Sequence, residues 1–71
     1  MEIKEQVKYV GRKLLLIQAQ LAKKTGISAV TIARWESLDG MQPQMISYGK
    51  FLAYCEKHGI YFENDEPVEA I

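Results

Sequence analysis

The side chains in this chain that could do covalent or metal chemistry are few. Cysteine occurs once, at Cys55, and histidine once, at His58. A lone cysteine makes no internal disulfide and no cysteine metal site. A cysteine nucleophile also needs a neighbouring base. None is evident beside Cys55, which reads as a small buried hydrophobe. His58 is the one histidine of the chain, so no histidine metal site is expected. No glycine-rich loop is placed to cradle a phosphate, and 71 residues give little depth for a closed active site. Neither an enzyme nor a cofactor or small-molecule substrate is expected.

What remains is charge. Residues 1–34 carry seven Lys and Arg against two Glu, a net of +5, whereas residues 35–71 carry two Lys against seven Asp and Glu, a net of −5. The overall zero therefore conceals a split. Such a chain can turn a basic face to an anionic partner and keep an acidic rear, or simply present two solvated surfaces.

The positioning elements must come from one modest core. A chain of 71 residues suits one domain and buries only about 60% of its unfolded surface. Single cysteine usage fits a reducing, cytoplasmic setting. The apolar run Leu14-Leu15-Leu16-Ile17 is too short for a signal-peptide core or a membrane span, so no membrane partner is expected.

Ile3, Val7, Val10 and Leu14 recur at spacings of four, three and four, predicting a first helix over about residues 3–15. Gly11 within it costs about 1 kcal/mol relative to alanine. A short second helix is expected over Gln18–Lys24, its closing lysines suited to the negative end of the helix dipole. Gly26 follows as a left-handed terminator. Ser28 is a suitable N-cap for a third helix over Ala29–Ser37, with Ile32 and Trp35 inward. Trp35 reads as core, not as a stacking platform. Leu38–Pro43 reads as a loop, with Pro43 opening a short fourth helix. A fifth is expected over Tyr48–Lys57, burying Phe51, Leu52 and Cys55. Ile60-Tyr61-Phe62 is strand-like, and the turn-prone Asn64-Asp65 leads into a tail.

Ala22, Gly26 and Ile32 lie 4, 8 and 14 residues beyond Gln18. A small residue where a second helix passes, a glycine at a tight turn and apolar anchors beyond it are the steric requirements of two steeply crossed short helices. Leu21, Ile27 and Trp35 supply the remaining apolar contacts.

Residues 16–37, LIQAQLAKKTGISAVTIARWES, resemble the helix-turn-helix of the phage repressor/Cro superfamily, the XRE-type regulators. The matching positions are Leu16-Ile17-Gln18, Leu21-Ala22, Gly26-Ile27-Ser28, Thr31-Ile32 and Trp35-Glu36. Two positions depart from the pattern. The usual Ser or Thr cap before the glutamine is Ile17, and the glycine after the closing glutamate comes late, at Gly40.

The resemblance implies an all-α, five-helix, lambda-repressor-like domain over residues 1–71, with a short extended C-terminal tail from about residue 60. It also implies a phage-type or prokaryotic transcriptional regulator whose third helix enters the major groove of double-stranded DNA. Repression is the family's commoner role. The positions at the base edges would be Ser28, Ala29, Val30, Thr31 and Arg34. Arg34 could pair with guanine O6 and N7, and Ala29 and Val30 could press on a thymine methyl or pack inward. Gln18 would bond a phosphate at a helix N-terminus. Lys23, Lys24, Arg12 and Lys13 are candidates for looser phosphate neutralisation, or are solvated.

A domain this small reads few base pairs, so a homodimer on a palindromic operator is expected, with half-sites about 34–36 Å apart. Ile60, Tyr61, Phe62, Val68 and Ile71 are candidates for the dimer surface; the same residues could instead close the monomer's own core. The alternative function is a helix-turn-helix protein-interaction module, of antirepressor or antitoxin type, that holds a regulatory partner protein. Neutral overall charge and the apolar start of the third helix favour that alternative, and the charge split favours DNA.

Overall fold

The apolar face read from Ile3, Val7 and Val10 is the face that α1 (Ile3–Leu14) buries. The computed structural model describes residues 1–64 and 66–69. Along this stretch α2 (Gln18–Thr25), α3 (Ala29–Ser37) and α4 (Met45–Lys57) follow, and then β1 (Ile60–Glu63) and β2 (Glu66–Glu69). The two strands form an antiparallel hairpin pairing Tyr61 with Val68 and Phe62 with Pro67. Pro67 has no ladder N–H, which a two-stranded sheet with two open edges tolerates.

Phe51 of α4, fully buried, is the centre of the core. Its ring meets Trp35 of α3 edge-on at 6.0 Å between centroids and stacks on Tyr48 at 6.1 Å and Phe62 of β1 at 6.3 Å. Phe62 in turn meets Tyr9 of α1 edge-on at 6.1 Å. Offset and edge-to-face aromatic pairs add about 0.5–1.5 kcal/mol each beyond area burial. One chain of rings thus joins α1, α3, α4 and β1.

The expected all-α, five-helix layout is corrected in two respects. Among the described residues there are four helices, and the strand-like Ile60-Tyr61-Phe62 is followed by a second strand that makes a hairpin where only a tail was expected. Pro43 opens no helix. The expected fourth and fifth helices are one, beginning at Met45 and already bonded from Tyr48 N–H back to the Gln44 carbonyl at 2.9 Å.

Gly11 acquires a reason. α1 ends with Leu15 in the left-handed region (φ 57°), and the Leu16 N–H then returns to the Gly11 carbonyl at 2.8 Å. A Cβ at Gly11 would lie 3.1 Å from the Leu16 carbonyl oxygen, so the close return of the chain favours glycine there.

The late Gly40 is also accounted for. The loop after α3 is tied to the start of α1: Lys4 Nζ bonds Asp39 Oδ1 at 2.9 Å, and the Gly40 N–H bonds Glu2 Oε2 at 3.2 Å. The hydrogen bond from Lys4, with its charge, holds the Asp39 carboxyl below its ordinary range.

The turn between α2 and α3 depends on a residue whose sequence context did not mark it. Thr25 is buried, and its hydroxyl donates to the Leu21 carbonyl at 2.7 Å while accepting from the Ile27 N–H at 3.3 Å. Thr25→Val keeps the shape but leaves that buried N–H without its acceptor. We expect a loss of about 1–3 kcal/mol, read as a lower urea midpoint at unchanged slope.

Candidate nucleic-acid interface

Gly26 lets the chain leave α2 in the left-handed conformation (φ 76°, ψ 17°), and Ser28 then caps α3. The Ser28 hydroxyl oxygen accepts from the Thr31 N–H at 3.1 Å, and its proton is directed to Thr31 Oγ1 at 2.9 Å. Ile32 and Trp35 point into the core, which fixes the rotation of α3 about its own axis. The opposite face is thereby settled: Ala29, Val30 and Arg34 are exposed and Thr31 is half-buried.

The chemistry of these five residues is uneven. Arg34 makes no hydrogen bond or ion pair with the described residues, so its fork of donors is available. Thr31 receives a hydrogen bond and keeps its own proton to donate outward. Ser28 is largely occupied by capping and retains only acceptor capacity. Ala29 and Val30, the latter 62% exposed, are outward apolar groups and not packing residues.

Gln18 is the first residue of α2 and is exposed. The missing Ser or Thr cap at Ile17 is offset by Gln20, whose side-chain oxygen accepts from the Ile17 N–H at 3.0 Å. The first amides of α2 remain open to an anion.

The expected phosphate-binding cations do not gather in one place. Arg12 and Lys13 lie along α1 in a shallow groove shared with Glu5, Lys8 and Tyr9. Lys24 lines a different groove with Lys50 and Lys57 of α4. Lys23 is exposed on α2. Beside Thr31 and Arg34, by contrast, a third groove is lined by Gln42, Gln44 and Ser47. These three polar residues were missed in the sequence because they lie outside the motif. The only signal was the pair of glutamines flanking Pro43 in the loop between α3 and α4.

Of the residues offered for a dimer surface, Ile60 is buried in the chain's own core and Phe62 is half-buried against Phe51 and Tyr9. Tyr61 and Val68 are exposed and face each other across the hairpin. Ile71 lies outside the described residues.

A family profile described as helix-turn-helix matches residues 10–57, which span α2, α3, α4 and the end of α1. No curated protein and no solved structure matches the chain.

Cys55 is fully buried, and burial pushes its thiol up to about 12. At neutral pH it is protonated and a poor nucleophile. We expect it to resist a thiol-alkylating reagent in the native protein at pH 7–8 and to react on unfolding in denaturant, followed by mass spectrometry.

Proposed function

From the premise that the chain belongs to the helix-turn-helix family of XRE-type, Cro/C1-like regulators, which are DNA-binding regulators in general, we propose that it reads DNA in the major groove with α3, as a repressor that occludes a promoter. The single observation that carries this reading is the presentation of α3. Its inward face is anchored by Ile32 and Trp35, while its capped N-terminal end offers Ala29, Val30, Thr31 and an unpaired Arg34 to one side.

In this reading Arg34 forks onto guanine O6 and N7, and Ala29 and Val30 pack on thymine methyls. Thr31 donates to a base or a phosphate, and Ser28 accepts at most one further bond. Gln18 and the open amides of α2 hold a phosphate, with Gln42, Gln44 and Ser47 placed beside α3 for a second. Lys23, Lys24, Arg12 and Lys13 supply looser neutralisation. The regulator acts as a homodimer on a palindromic operator, because one α3 spans too few base pairs for specificity.

A second reading, a protein-interaction module, is favoured by one observation. Large apolar side chains stand exposed at the approaches to all three later helices: Leu15 and Ile17 before α2, Val30 in α3, and Met45 and Ile46 at the start of α4, the last two 89% and 80% exposed. Phosphate-binding surfaces are polar and basic, whereas exposed apolar patches suit a protein partner. The fold alone does not separate the two.

Arg34→Ala should cost about 1–3 kcal/mol and relax discrimination at one base pair per half-site. Gln18→Ala should weaken all duplexes alike. Mobility shifts on a preferred duplex and its single-base variants separate the two effects. An unchanged base preference in Arg34→Ala would remove Arg34 from the readout.

A further inference from the structure

Three lysines, of which Lys24 is also a candidate phosphate contact, surround one shallow groove that the base-reading residues do not line. Lys24 and Thr25, at the end of α2, form one wall, and Lys50, Ala53, Tyr54 and Lys57 of α4 form the other. The α4 residues recur at helical spacing and so lie on one stripe. All three lysines are exposed, and none has an ion pair or hydrogen bond among the described residues. None of Ser28, Ala29, Val30, Thr31 and Arg34 lines this groove. Since α2 and α4 pack on each other, the cations are held together by the fold and do not merely converge by flexibility.

The complementary charge is on the hairpin. Its register sets Glu63 directly opposite Glu66, and both are exposed. Like charges directly opposite on a sheet repel. The Met1 ammonium relieves Glu66 at 3.0 Å, but Glu63 has no cation among the described residues. The cationic and anionic patches are also neighbours along the chain, since Lys57 closes α4 and Ile60 opens β1. No ion pair joins them within one chain among the described residues.

We infer that the groove of Lys24, Lys50 and Lys57 receives the acidic hairpin of a second copy of this chain, with Glu63 and Glu66 entering between the lysines. Two-fold pairing satisfies both patches at once, because each copy offers its groove and its hairpin to the other. A net charge of zero leaves no overall repulsion against association. None of the residues brought together belongs to α3. It rests on the reading of the regulator as a homodimer and specifies which surfaces meet.

The test is sedimentation velocity on the full chain at about 0.05 M and about 0.5 M salt, where screening differs strongly. The wild-type protein should dimerise at low salt and dissociate at high salt. Lys50→Glu and Glu63→Lys should each raise the dimer dissociation constant about tenfold. An equimolar mixture of the two should associate again, with circular dichroism confirming that both are folded. A wild-type monomer at both salt concentrations overturns the inference together with the dimer reading. A dimer that neither substitution weakens, or a mixture that does not associate, overturns the docking mode and leaves the dimer standing. Should Lys50→Glu weaken only DNA binding and leave the dimer unchanged, the groove belongs to the phosphate backbone and the inference fails.

Discussion

The edge-on contact of Trp35 with Phe51 is the constraint on which the presentation of α3 depends. α3 is nine residues long, too short to be stable alone in water, so its stability and its orientation both come from tertiary packing. Trp35 and Ile32 lie on one side of it and are fully buried. Once they are seated in the core, with α3 packed on α1 and α2 and Trp35 against Phe51 of α4, the outward direction of Ala29, Val30 and Arg34 follows from helix geometry alone. Phe51 extends the same constraint to Phe62 and Tyr9, so the hairpin and α1 brace the helix from behind.

The second constraint is the turn that brings α3 into place. Gly26 takes the backbone conformation, Thr25 satisfies the groups exposed by the end of α2, and Ser28 satisfies those at the start of α3. Three consecutive requirements are met within four residues. Ser28 serves this turn first, which limits what it can offer a ligand.

The helix-turn-helix was legible in residues 18–37 because its requirements are local: a small residue, a glycine and apolar anchors at fixed spacing. The boundaries of α1 and α3 followed for the same reason. The long α4 was not legible as one helix, since periodicity reports only buried faces. Its first turn carries Met45 and Ile46 outward, so the inward pattern begins only near Tyr48 and Phe51. The second strand escaped notice because Glu66-Pro67-Val68-Glu69 has little strand propensity of its own. It forms by pairing with β1, whose Ile60 and Phe62 are drawn into the core. In the candidate site, Arg34 and Val30 were legible as helix positions with an outward face. Gln42, Gln44 and Ser47 reach the same groove only through tertiary folding, and no spacing rule connects them to α3.

The exposed apolar residues bear most directly on what the chain binds. Val30 suits a thymine methyl, but Met45 and Ile46 at the start of α4 suit no phosphate. The decisive measurement is therefore selection of bound duplexes from a random pool at about 0.15 M salt, near physiological screening. Recovery of a two-fold symmetric sequence, with half-site centres about 34–36 Å apart, is the result that α3 as a reading helix requires. A pool that stays unenriched while the protein is folded would contradict it, and would move the weight to a protein partner on the apolar surface.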